Sequence, residues 1–278
     1  MNHNKLFVIL ASNLGIKFAP HGHTVLNNGV TEGGSAISKE ITTPSDEVLQ
    51  ISFSKIADTN NQQYLKNIFD QYQQATNQIL KHWNKKVPLV CLGGDHSVAY
   101  ISLSAVIQKY GQENVCLIMF DSHADLHLPT TSPSSNFHGM WLRSLINSLN
   151  DSDFTKQIKF VGNLITQETE NKYIDQKNIE VYSSDDISPN MAKSLLNWSK
   201  KFAHLHISFD IDVFMESLVS ATGTPNKNGL SKAQVLTVLN EIKKHQSISL
   251  DIVELNPQKS GAKKSLELIN NVYNSIFK

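Results

Sequence analysis

The stretch VCLIMFDSHADLH, residues 115–127, runs six apolar residues directly into Asp121, His123 and Asp125 at alternate positions. A short apolar run of this kind, bounded by polar residues, reads as a buried strand. Side chains two apart on an extended segment share a face, so the three polar groups converge at the strand's carboxyl end. Carboxylates crowded together repel one another unless a cation lies among them.

The same pattern of apolar runs recurs on both sides of this stretch. KLFVILA, VPLVCLGG, IKFVG, IEVYS, HLHISFD and SISLDIVEL are all strand-like. Most are separated by helical patterns. Residues 60–83 carry Leu65, Ile68, Phe69, Tyr72, Ala75, Ile79 and Leu80 at spacings of three and four. Segments 97–110, 138–149, 189–201, 231–245 and 262–277 read similarly, with Ser231 and Lys232 after a glycine marking a helix start. Alternating strands and helices predict an α/β fold with a parallel sheet whose ligands gather beyond the carboxyl ends of its strands. Residues 12–60 fit this rhythm least.

The 278 residues suit one large domain, taken as 1–278, with ample core. Lys plus Arg balances Asp plus Glu at 25 each, which offers no general electrostatic grip on nucleic acid or an acidic membrane and points to small-molecule partners. The early apolar run FVILA is too short for a secretory core or a membrane span and reads as a first strand. Cys91 and Cys116 fall inside apolar runs, which fits reduced, buried thiols in a cytoplasmic protein. Internal repeats and linker-like segments are absent from the sequence.

Four strand ends carry the polar chemistry. His96 follows VPLVCLGG and Asp95; Asp121, His123 and Asp125 follow VCLIMF; Asp210 and Asp212 end HLHISFDID; Glu254 follows SISLDIV. His96, Asp121, His123, Asp125, Asp210 and Asp212 supply four carboxylates and two imidazoles, a match for two divalent cations. Oxygen-rich donors without thiolate favour manganese, with cobalt, nickel, iron or zinc as other occupants. Asp95 alone reads as a helix cap, and His21 and His23 as loop residues.

These motifs resemble those of the arginase and agmatinase family of ureohydrolases: GGDHS (93–97), DSHAD (121–125), SSNFHG (134–139), SFDID (208–212), ATGTP (221–225) and DIVELNP (251–257). The resemblance covers about two thirds of the chain, from residue 87 onward. It implies a three-layer α/β/α fold around a parallel sheet. It implies two Mn2+ per chain, one held by His96 and Asp125, the other by His123 and Asp212, with Asp121 and Asp210 bridging. It also implies activation of water for attack on a guanidinium or amidine carbon, Glu254 pairing with that guanidinium, and His138 moving a proton to the leaving amine.

The substrate-recognition segments depart from the family pattern. His127 stands where arginases carry an Asn, whereas Ser134 and Asn136 are retained. In VGNLITQETE the acids expected to receive an α-ammonium are replaced by Ile165 and Gln167, and Glu170 is the acid that falls at an expected place. After Asp212, Val213, Phe214, Met215 and Glu216 replace the usual ending of the motif. The resemblance therefore implies a linear C–N hydrolase for which arginine, giving ornithine and urea, leads. Agmatine, guanidino acids and formimidoylglutamate are alternatives within the class. A catalytically weak metal-binding relative acting as a ligand-binding protein is the alternative of another class, and an amide deacetylase on a related fold fits less well. A homotrimer or homohexamer is the assembly the resemblance suggests.

Overall fold

The structure, a computed structural model, describes residues 5–16, 28–56, 60–149 and 152–278. His21 and His23 lie outside the described residues. Among the described residues, eight strands form one parallel sheet: β1 (Leu6–Ala11), β2 (Glu47–Ser52), β3 (Leu89–Gly93), β4 (Val115–Phe120), β5 (Ile158–Val161), β6 (Glu180–Tyr182), β7 (His204–Asp210) and β8 (Ile248–Val253). Their spatial order is β2-β1-β3-β8-β7-β4-β5-β6. The central strands are buried on both faces, as expected of a parallel sheet covered by helices.

The helices are α1 (Gly33–Ile41), α2 (Asn61–His82), α3 (Ala99–Tyr110), α4 (Trp141–Ser148), α5 (Glu168–Lys177), α6 (Pro189–Ser199), α7 (Lys232–Ile242) and α8 (Ala262–Phe277). Their starts follow local chemistry. Asn60 accepts the N–H of Gln63, Ser188 precedes Pro189 at the first position of α6, and Ser231 forms a reciprocal box with Gln234. On α2, Tyr64, Ile68, Tyr72, Ala75 and Ile79 are buried, and Leu65, Phe69 and Leu80 pack at the edge of the same core. One apolar core lies beneath α2, α3 and α4; a second lies on the other face of the sheet beneath α1, α6, α7 and α8. This gives the three layers expected from the sequence.

Three elements lacked a readable sequence signal. Strand β2 lies at the sheet edge with most of its residues exposed, so its apolar content is low. Helix α5 is mostly polar. Helix α1 opens with Gly33 and Gly34, residues that ordinarily argue against a helix. Here they permit close approach to the sheet, because a Cβ would lie 2.2 Å from the Leu255 carbonyl oxygen at Gly33 and 2.4 Å from that of Leu92 at Gly34.

Cys91 and Cys116 are buried free thiols. Among the described residues, no helix is long and apolar enough to cross a membrane.

Candidate metal centre and active site

Strands β3, β4, β7 and β8 all deliver polar residues at their carboxyl ends, and the sheet order brings these ends together. Nδ1 of His96 lies 2.9 Å from Asp121 Oδ2, 3.1 Å from Asp125 Oδ2 and 3.3 Å from Asp210 Oδ2. Nδ1 of His123 lies 3.0 Å from Asp212 Oδ2 and 3.6 Å from Asp121 Oδ1. Two groups each have potential ligand atoms within 4.8 Å of one another and could each hold a metal ion, His96 with Asp121 and Asp125, and His123 with Asp121 and Asp212; Asp121 is common to both. All six residues singled out from the sequence meet at one place.

The donor set fits cations rather than a closed hydrogen-bond network. Ser208 Oγ donates to Asp251 Oδ1 at 2.7 Å, so it accepts from His96 Nε2 at 2.9 Å. That places the imidazole proton on Nε2 and turns the Nδ1 lone pair toward three carboxylates. Nδ1 of His96 and Oδ2 of Asp121 are buried without a hydrogen-bond partner. Acceptors facing acceptors in a dry site call for a cation between them. Burial, followed by the charges of Asp212 and Asp121, pushes Asp210 well above the usual carboxylate range. Burial alone would lower both histidines, but the carboxylate neighbours pull His96 and His123 well above the ordinary imidazole range, the same negative charge drawing a proton to the ring nitrogens where a metal ion would otherwise be held.

The surrounding contacts orient these groups. Asp212 accepts Ser122 N–H at 3.0 Å and the Thr224 hydroxyl at 3.1 Å, and Asp125 accepts the Trp141 indole N–H. Asp125 and Glu254 both sit in left-handed backbone, with φ of 53° and 68°. Neither is glycine, so each position stores roughly 1–3 kcal/mol of strain, a pattern found at functional sites. Asp95 caps a 3-10 turn over His96–Val98 by accepting Ser97 N–H, as its sequence context predicts. Burial and the nearby Glu254 push its carboxyl up to about 6.

Beside the cluster, Oε1 of Glu254 accepts His96 N–H at 2.9 Å and lies 3.4 Å from His138 Nδ1. Burial would lower His138, but the hydrogen bond and charge of Glu254, helped by Asp125 and Asp95, raise it above the ordinary imidazole range. Both residues line a cavity of about 260 Å3 that also includes His127, Ser134, Asn136 and Glu170. Every substrate-binding candidate from the sequence therefore faces the same space. The altered segment after Asp212 keeps a defined local structure: Phe214 packs against Phe209 with ring centroids 5.7 Å apart, and Glu216 N–H donates to the Asn226 carbonyl at 2.7 Å.

Sequence reading missed a buried polar ladder behind the cluster. Asp251 accepts from Ser208 and Phe209 N on one oxygen and from Ser102 and His206 on the other. His206 Nδ1 and His204 Nε2 then share Ser249 Oγ at 2.7 and 2.8 Å. The available signal was the alternation of His204, His206, Ser208 and Asp210, four polar residues on one face of an otherwise apolar strand.

A model described as the Arginase family matches residues 13–278, a span wider than the motifs alone. An arginase of Staphylococcus aureus (strain MRSA252) is 33% identical over 189 residues, covering 63% of this chain and 62% of that protein. An arginase of Entamoeba histolytica is 31% identical over 194 residues, covering 65% of this chain and 66% of the relative. The match thus spans about 62% of the length of the staphylococcal relative. The crystal structure of Entamoeba histolytica arginase in complex with L-ornithine superimposes with a TM-score of 0.82 at 26% identity, covering 100% of this chain and 99% of that one.

Proposed function

We propose, from the premise that the chain belongs to the arginase family, that it is a hydrolase that uses two manganese ions to cleave a linear C–N bond of a guanidino compound. The observation that carries this reading is the cluster of two imidazoles and four carboxylates beside the His138–Glu254 contact on one cavity. His96, Asp121 and Asp125 would hold one ion, and His123, Asp121 and Asp212 the other, with Asp210 as a second bridge. When bound, the ions supply a water acidic enough to act as a nucleophile at neutral pH.

The chain's own residues supply positioning and proton transfer. Glu254 offers a carboxylate to a planar guanidinium, a pairing favoured by charge and geometry. Its hydrogen bond to His96 N–H fixes it next to the cluster. The Glu254 contact takes Nδ1 of His138 and leaves Nε2 for the departing nitrogen. An imidazole held above its ordinary range remains protonated to a useful extent near neutrality and can protonate that amine. The net reaction adds water across the guanidinium C–N bond, and for arginine it releases urea and ornithine.

Arginine is the reference substrate, supported by the names of the relatives; agmatine and guanidino acids share its guanidino group, and formimidoylglutamate carries the related formamidine. The two buried thiols suit a reducing compartment such as the cytoplasm, and assembly as a homotrimer or homohexamer belongs to the same reading. The manganese-loaded protein should release urea from at least one guanidino compound, and removal of the metal should abolish that release. Two bound ions per chain with no turnover of arginine, agmatine, guanidinobutyrate or formimidoylglutamate would overturn the proposal.

A further inference from the structure

The cavity has a charged floor, but its acids are already committed. Apart from the metal cluster and Glu254, Glu170 is the one carboxylate in its lining among the described residues. Glu170 is 3% exposed. Its Oε1 accepts Leu126 N–H at 3.1 Å, and its Oε2 accepts Gln167 N–H at 3.2 Å and lies 3.2 Å from His127 Nε2. Glu170 therefore ties the first turn of α5 to the loop that follows the β4 cluster. Both oxygens serve internal donors.

Among the described residues the mouth offers no replacement acid. Ile165, 56% exposed, Pro133 and Thr166 line it, and the Thr166 hydroxyl is given to Asn171 Oδ1 at 2.6 Å. An ammonium group entering this mouth would give up water and meet, among the described residues, only the buried Glu170 carboxylate, whose two oxygens already accept backbone N–H groups. A carboxylate end is treated differently, because Ser134 Oγ accepts Asn136 N–H at 3.2 Å and keeps its own proton to donate.

We infer that the site selects guanidino compounds whose far end carries no ammonium group, so that the des-amino counterpart of arginine is preferred to arginine itself. This inference rests on the guanidino-hydrolase reading and specifies its substrate. Glu170 and His127 act as positioning residues that shape the mouth.

The test compares kcat/KM of the manganese-loaded protein for three compounds: arginine, δ-guanidinovalerate, which is arginine without the α-ammonium, and agmatine, which is arginine without the carboxylate. The expected order is guanidinovalerate above arginine by ~10-fold or more, with agmatine lowest. Arginine equal to or better than guanidinovalerate would overturn the inference while leaving the hydrolase reading intact. Absence of all three activities would overturn the inference, and would overturn the hydrolase reading with it if guanidinobutyrate and formimidoylglutamate are also left unhydrolysed. Two variants separate a tie from a receiver. Glu170→Gln should lower Tm without changing the guanidinovalerate-to-arginine ratio; a selective loss of arginine turnover would contradict the assignment. Ile165→Asp, a change at an exposed position, should shift the ratio toward arginine by ~10-fold; an unchanged ratio would count against the inference.

Discussion

Trp141 Nε1 donates to Asp125 Oδ2 at 2.8 Å, and the same oxygen lies 3.1 Å from His96 Nδ1. Helix α4 thereby orients one of the proposed ligand carboxylates, held in left-handed backbone, through a single indole. Trp141→Phe keeps most of the buried ring volume and removes the N–H. Manganese affinity is expected to fall ~10- to 100-fold, with far-UV circular dichroism unchanged; metal titration by calorimetry checks this.

His138→Ala removes the proposed proton donor without touching a proposed ligand. Turnover is expected to fall by ~10²- to 10⁴-fold, while the manganese content remains that of the wild type. Steady-state kinetics on metal-counted samples checks both parts. A variant that keeps wild-type turnover would remove His138 from the proposed proton transfer, whereas little change on top of negligible wild-type turnover would favour the ligand-binding alternative.

Asp251 is fully buried, and burial would raise its carboxyl, but the His206 hydrogen bond and charge bring it below the usual range. Asp251→Asn removes the charge and places an amide N–H against a donor. A loss of ~3–5 kcal/mol of stability is expected, measured by urea unfolding. Ser208→Ala should be milder for the fold but should weaken manganese binding, because the proton on His96 Nε2 loses its acceptor.

His204 lies between β8 and the rings of Tyr110 and Trp83, stacked 4.1 Å from Tyr110. Burial, reinforced by His206 and His245, holds it well below the ordinary imidazole range. The unfolded chain therefore binds a proton near pH 6.5 that the folded chain refuses. This contribution to stability is complete above about pH 6.5 and is lost as pH falls from there toward the depressed folded value, at up to ~1.4 kcal/mol per pH unit. His204→Gln should flatten that part of the stability profile, measured by urea unfolding across the acid range.

The candidate ligands were legible because a parallel sheet gathers whatever polar groups follow its apolar runs, and those runs are plain in the sequence around residues 89–93, 115–120 and 204–210. The fold class followed from the same alternation. The ladder was harder to read: Ser208 meets Asp251 only because β7 and β8 pair in that register, a fact of sheet order rather than local pattern. The Glu170–His127 contact likewise joins residues 43 positions apart, and no periodicity in the polar segment 168–177 announces a buried acid. The glycines opening α1 misled for a different reason, since close backbone approach outweighed helix propensity.

The position of β8 has a consequence for biosynthesis. It is last among the described strands in chain order yet lies between β3 and β7. His96 and Asp210 are therefore flanking posts of a gap until residues 248–253 fill it. A nascent chain emerging from the ribosome would carry all six proposed ligands before it had a frame to hold them, and pairing across so many intervening residues is slow to form. Cation capture by the proposed ligands would then be a late event that reports closure of the sheet. A chain stopped at residue 247 is expected to bind manganese no better than an unfolded peptide, a difference measurable by metal titration of the two lengths.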